Sequence, residues 1–286
     1  MNDLIIYQFQ DFAPQKDDIF ILGSFESFHL GHYNLYKKAL EQKKDNQRII
    51  LVTFNNEIGM PKFNGEIFTD NNYKYKSLSD LKFDAIVELN FQKISQLNGE
   101  SFIYALTKNL PCTIIVGKDF KFGKNASSNC NDISCYNLDS KVEIVDLLKV
   151  NGVKISSKLI KELIQYGNIE DSNKLLVFNY GFSASISQKM ELKISEKLVK
   201  MHPGIYGASL LFDNGVGIYG IIHVKMDHSY HFISFDPKFK IENDTNVLIQ
   251  VFKEFRIISN SQLDNVDEKD FLSIKAFFIN LIQNSN

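Results

Sequence analysis

The sequence predicts an α/β fold: a parallel sheet covered by helices, followed by a small antiparallel β-barrel-like domain with a C-terminal helix. Three observations carry this. Up to about Tyr180, short apolar runs alternate with helix-patterned stretches, as expected of strands joined by helical crossovers. Beyond Tyr180, short runs rich in aromatic and β-branched residues are broken by Gly and Asp-Asn, the pattern of hairpins. The chain closes on EKDFLSIKAFFINLIQ, which has the apolar spacing of an amphipathic helix.

The elements follow in order. DIFILGSF is the first strand, and GHYNLYKKALEQKKDNQ is a helix with Leu35, Ala39 and Leu40 on one face. RIILVTF is a second strand whose apolar run is too continuous for a half-exposed one. FDAIVEL, CTIIVGKDF and KVEIVDLL supply three more strands. SFIYALTKNLP is a helix stopped by Pro111, and SSKLIKELIQYGNIEDSNKLL reads as one or two helices. GIYGASLLFDNGVGIYGIIHVKM and HSYHFISFD are the hairpin strands. A boundary near 178–183 divides the chain into domains 1–180 and 181–286.

Composition narrows the function classes. The 286 residues are 44% hydrophobic and 23% charged, which suits one or two globular domains and excludes a disordered or fibrous chain. The formal net charge of -2 offers no basic field, so nucleic acid is not expected as a partner. No apolar segment approaches the ~20 residues that span a bilayer, so no membrane partner is expected either. MNDLIIYQFQDFAP lacks the basic and apolar regions of a signal peptide. Cys112, Cys130 and Cys135 are odd in number and lack CxxC spacing, which suits a reduced, cytoplasmic setting. Nothing here fixes the oligomeric state.

Chemistry concentrates at ILGSFESFHLGHYNL, residues 21–35. In a parallel sheet, ligands bind beyond the carboxyl ends of the strands. His29 and His32 fall where the first strand gives way to a helix, whose free N–H groups and dipole favour anions. Two imidazoles there suit a phosphate better than zinc, which would want a further ligand in suitable geometry. The blander alternative is a helix cap and a surface residue. Ser156 and Ser157, before an apolar run, suit either an N-cap or a phosphate contact.

GSFESFHLGH has the form GxFxxxHxGH and resembles the HxGH signature of the nucleotidyltransferase superfamily, which has a Rossmann-like parallel sheet. With LVTF (51–54), VGKDFKFG (116–123) and KISSKLIK (154–161), residues 18–180 resemble the bacterial FAD synthetase, the FMN adenylyltransferase module of the bifunctional riboflavin kinase/FAD synthetases. The resemblance implies transfer of AMP from ATP to FMN, giving FAD and pyrophosphate, with Mg²⁺ accompanying ATP. It implies catalytic roles for His29, His32, Ser156 and Lys161. It further implies ATP or flavin contacts for Gly23, Ser24, Phe25, Gly31, Phe63, Gly117, Asp119, Phe120, Phe122, Gly123 and Ser157. No protein-held metal site is assigned.

The chain departs from the family pattern in places. Glu26 and Ser27 replace Asp-Gly, Phe28 is bulkier than usual, and Lys161 stands where Arg is usual, keeping charge without the bidentate fork. TFNNEIGMPKF lacks the PHP segment. The barrel resembles the family's riboflavin kinase domain, but GFPTAN is missing and His231 stands about where its Glu base belongs. A degenerate kinase domain is therefore expected, with riboflavin kinase activity lost. Two alternatives are a non-catalytic flavin- or nucleotide-binding protein and an enzyme that retains both activities. GVGIYG, in a hairpin, is not expected to bind a dinucleotide, and His223, His228 and His231 are expected to be exposed strand residues, not metal ligands.

Overall fold

A computed structural model describes residues 4–58 and 65–284. It contains two compact units, Met1–Gly65 with Tyr75–Ser156, and Glu66–Lys74 with Ser157–Asn286.

The first unit holds a six-stranded sheet of β1 (Ile6–Gln8), β2 (Ile19–Leu22), β3 (Ile49–Phe54), β4 (Ala85–Leu89), β5 (Thr113–Gly117) and β8 (Lys141–Val145). Every pairing is parallel, in the order β1-β4-β3-β2-β5-β8. Two short antiparallel pairs stand apart from it: β6 (Lys121–Phe122) with β7 (Ser128–Asn129), and β9 (Lys149–Val150) with β10 (Val153–Lys154). The five expected strands are all present, and β2 and β4 are buried along their whole length, as continuous apolar runs require. The edge strand β1 was not expected. It is three residues long and pairs with Ile86–Glu88, a partner eighty residues away that no local period reveals.

Helices α1 (Leu30–Gln42), α2 (Asn71–Leu78), α3 (Phe91–Ile94), α4 (Gly99–Thr107) and α5 (Ile133–Tyr136) accompany these strands. α1 buries Leu35, Tyr36 and Ala39 and stops at Gln42, where its sequence turns polar. Asn98 caps α4, accepting from the Ser101 amide at 2.7 Å, and Lys108 closes it in the left-handed conformation before Pro111. One face of the sheet, with Phe20, Leu22, Val52, Val87 and Val116, packs on Phe102, Ile103 and Leu106 of α4. Each such fully buried side chain contributes roughly 1.5–3 kcal/mol of transfer free energy.

The second unit is a closed antiparallel barrel of β11 (Gly181–Ile186), β12 (Glu191–Ile194), β13 (Gly204–Leu211), β14 (Gly217–Val224), β15 (Tyr230–Ser234) and β16 (Thr245–Ile257), in the order β11-β12-β15-β14-β13-β16. It also contains α6 (Ser157–Gln165), α7 (Ile169–Lys174) and the C-terminal α8 (Glu268–Asn284). Ile274 and Phe278 of α8 join Ile205 and Ile221 in a buried cluster. Arg256 holds the start of α8 by donating to Asp270, with Nε 3.0 Å from Oδ1.

The compact units divide the chain earlier than the expected 180/181 boundary. The Asn173 side chain of α7 donates to the carbonyls of Val251 and Phe252, each at 2.9 Å, and accepts from the Tyr180 amide at 2.7 Å. Segment 66–74 joins the same unit: the Asp70 carboxylate accepts from the Ser183 amide at 2.6 Å and from its hydroxyl at 2.7 Å. A helix's periodicity shows that it has an apolar face, not which sheet that face meets.

The barrel histidines also differ from expectation. His223 is buried, with Nε2 2.8 Å from Asp264 Oδ1, and His231 is half-buried opposite it in the β14–β15 register. GVGIYG lies in and before β14, a hairpin strand. Among the described residues no group of three or more His, Cys, Asp or Glu side chains is placed to hold a metal ion, and no helix is long and apolar enough to cross a membrane.

Candidate active site

The strand order places the candidate site. From β2 the chain builds outward through β3 to β4, then returns to the other side of β2 with β5 and β8. The order reverses between β2 and β5, and ligands of open parallel sheets bind at such a switch point. The segment after β2 carries Gly23 to His32, and the segment after β5 carries Lys118 to Gly123. The two expected motifs thus follow the two strands between which the order reverses.

His29 is the N-cap of α1, and its Nδ1 accepts from the His32 backbone N–H at 3.2 Å. An accepting Nδ1 carries no proton, so the neutral ring keeps its proton on Nε2. Burial, and then the Lys154 ammonium, bring His29 down to a pKa of about 4. At neutral pH it is therefore an uncharged N–H donor. His32 uses Nδ1 in the opposite sense: it lies 2.6 Å from the Ser27 carbonyl, which can only accept, so Nδ1 bears a proton. The rings stack with centroids 3.7 Å apart and planes at 13°.

The neighbouring residues make this stack possible. A Cβ on Gly31 would sit 3.0 Å from Cε1 and 3.1 Å from Nδ1 of His29, a tight approach in which the ring would have to give by a few tenths of an ångström, and glycine avoids it. Phe25 presents its ring edgewise to His32, centroids 4.6 Å apart. It does so from a left-handed backbone, φ 43°, and lies within 2.9 Å of where a Gly23 Cβ would be. The cap reading and the phosphate reading of the pair are compatible: His29 caps with Nδ1 and keeps Nε2–H for another partner.

Beyond β5, Asp119 forms an ion pair with Lys154 of β10, and the charges of both act on His29. A Cβ on Gly117 would sit 3.3 Å from Asp119 Oδ1. Phe120 and Phe122 stack at 5.3 Å; Phe122 is buried against Phe102, whereas Phe120 is only partly covered. Gly123 has φ +75°, and a Cβ there would meet the Gly99 backbone nitrogen at 2.8 Å.

Of the remaining expected residues, Ser24 offers its carbonyl to the Thr53 hydroxyl at 3.0 Å. Ser156 ends the first unit, and Ser157 begins α6 in the second. Lys161, on α6, is buried, and its ammonium donates to the Glu66 carbonyl at 2.6 Å. Phe63 lies outside the described residues. The first unit therefore gathers Gly23, Phe25, His29, Gly31 and His32 in one cluster, with Asp119 and Lys154 in electrostatic reach.

The FAD synthetase family model matches residues 12–159. The chain belongs to the FAD synthetase family. It is 27% identical to an FAD synthetase of Listeria monocytogenes over 175 residues, covering 57% of this chain and 71% of that one. It is also 27% identical to a bifunctional riboflavin kinase/FMN adenylyltransferase of Buchnera aphidicola over a 303-residue alignment, covering 91% of this chain and 94% of that one. A crystal structure titled macrolide-efflux protein, from Streptococcus pneumoniae, shares the fold at TM-score 0.76 and 20% identity over 96% of this chain and 97% of that one.

As a member of the FAD synthetase family the chain is a nucleotidyltransferase. Sequence reasoning missed two residues of the candidate site: Lys154, which pairs with Asp119, and Thr53, which holds the Ser24 carbonyl. Lys154 directly precedes the Ile-Ser-Ser stretch, and Thr53 lies inside LVTF, so both were in quoted motifs without a distinguishing pattern. The donor set does not fit a resident magnesium ion. His29 is tied at Nδ1 to its own helix, and Asp119 is already paired with an ammonium.

Proposed function

We propose that this protein transfers AMP from ATP to FMN, forming FAD and pyrophosphate. A phosphate oxygen of FMN forms the new bond to the α-phosphorus of ATP, and the bond from that phosphorus to the bridging oxygen of the β-phosphate breaks. The acceptor phosphate is anionic near neutral pH, so the attack needs no general base. What remains is positioning and the stabilisation of charge on phosphoryl oxygens. ATP enters as its magnesium complex, with the ion a part of that substrate.

The observation that carries this reading is the stacked histidine pair at the start of α1. His29 offers a neutral Nε2–H donor beside the positive end of the helix dipole. His32, fixed by Ser27, contributes Nε2. Ser156, Ser157 and Lys161 are assigned to the phosphates through the family motif, and Asp119 to the position between nucleotide and flavin, with Gly117, Phe120, Phe122 and Gly123 as the rest of that strand-end loop. The barrel is assigned no riboflavin kinase chemistry, because GFPTAN is missing and His231, not a glutamate, stands near the position of the base.

Chromatographic product analysis tests this. ATP, Mg²⁺ and FMN with the protein are expected to give FAD and pyrophosphate. Flavin binding without turnover would overturn the catalytic assignment in favour of a binding protein.

A further inference from the structure

The segment between β2 and α1 is held by three side chains, each donating to a backbone carbonyl. Thr53 Oγ1 donates to Ser24 O at 3.0 Å, Asn56 Nδ2 to Glu26 O at 3.2 Å, and His32 Nδ1 to Ser27 O at 2.6 Å. Between Ser24 and Ser27 the one other residue, Phe25, carries the left-handed backbone, a conformation that costs roughly 1–2 kcal/mol in a non-glycine residue. Such a conformation persists only where its surroundings fix it. A carbonyl turned towards a triphosphate would also repel it, and these three carbonyls are occupied by protein donors instead.

Asn56 differs from the other two donors. It is a buried polar residue on the segment after β3, 6% exposed, and that segment is itself fixed by the Asn55 side chain, which accepts from the Glu57 amide at 2.9 Å and the Ile58 amide at 3.1 Å. Its partner Glu26 is the first of three consecutive departures from the family motif, and Asn56 falls in the segment where PHP is absent. Phe28, the third departure, is buried and packs on Phe25 at 5.9 Å and Phe83 at 6.2 Å. The two unusual stretches of the chain are therefore in contact.

We infer that Asn56 is a positioning residue for the phosphate site: by holding the Glu26 carbonyl it fixes the Glu26–Phe28 turn, and through Ser27 the orientation of the His32 ring. Asn56 touches neither substrate nor reacting atoms in this account. The catalytic consequence rests on the AMP-transfer reading above, whereas the structural consequence does not.

Asn56→Asp is the discriminating variant. It keeps size and shape but presents carboxylate oxygens, which cannot donate, to a carbonyl that can only accept. Two readouts apply: the ring-nitrogen NMR shifts of His32 in ¹⁵N-histidine-labelled protein, and the steady-state kinetics of FAD formation. The variant is expected to move the His32 shifts and to lower kcat at least tenfold with KM for ATP changed less than threefold. Asn56→Gln, which restores a donor, is expected to recover part of the rate. Wild-type values in Asn56→Asp for either readout overturn the inference. Should the wild-type protein form no FAD, the AMP-transfer reading fails, and the NMR shifts alone then decide whether Asn56 orients His32.

Discussion

His29 and His32 use their Nδ1 atoms in opposite senses within one stack, 3.7 Å between ring centroids. One accepts at Nδ1 from a backbone amide, and the other donates from Nδ1 to a backbone carbonyl. The same backbone segment thus sets both rings and leaves each with a defined Nε2.

Replacing either ring should remove a charge-stabilising group without removing the fold. His29→Ala and His32→Ala are each expected to lower kcat for FAD formation by about 10²–10³, the loss typical of one preorganised donor. His29→Ala should also cost about 1 kcal/mol through loss of the cap. Product quantification and urea unfolding check the two effects, and a double variant at full rate would remove the histidines from the mechanism.

Acid should destabilise the protein through His29. Its folded pKa of about 4 lies below the ordinary 6.5. Above 6.5 the imidazole is neutral in both states, and His29 adds no pH dependence. Between 6.5 and 4 only the unfolded chain takes up the proton, so stability falls as pH falls across that window, by up to about 3 kcal/mol. Urea midpoints measured from pH 7 to 4 in wild type and His29→Ala check this. The wild-type curve should fall more steeply, and parallel curves would rule out a buried neutral His29.

Gly31→Ala reverses an ordinary expectation. Alanine inside a helix usually gains up to about 1 kcal/mol over glycine. Here the added Cβ meets the His29 ring at 3.0 Å, so the ring must shift and the Nδ1 cap must loosen. No gain in stability and a clear drop in FAD formation are expected. A stabilised, fully active Gly31→Ala would show that the stack does not matter.

Gly123→Ala should be destabilising by about 1–3 kcal/mol, since it combines φ +75° with a backbone clash at Gly99 N, 2.8 Å away. The melting temperature checks it, together with the fluorescence of bound flavin if the Phe120 loop moves.

Riboflavin offered with ATP should yield no FMN, because GFPTAN is missing from the chain and His231 stands near the position of the glutamate base. Chromatography with riboflavin alone as acceptor checks this. FMN appearing there would restore kinase activity to the barrel.

Much of this was legible in the sequence. Continuous apolar runs mark β2 to β5 because strands buried on both faces tolerate few polar residues. Gly-Asp-Asn punctuation marks the barrel hairpins. The GxFxxxHxGH spacing marks the strand-to-helix junction because the His29 ring lies close over Gly31, a constraint written into residues two positions apart. These are local requirements, and local sequence determines them. What only the tertiary structure decided depends on partners far apart in the chain. The pairing of Ile6–Gln8 with Ile86–Glu88 creates an unexpected strand, and Asn173 and Asp70 tie α7 and segment 66–74 to the barrel unit. Asn56 reaches the Glu26 carbonyl from the segment after β3. A hydrogen bond between residues thirty or a hundred positions apart leaves no period in the sequence, so the folded chain alone decides it.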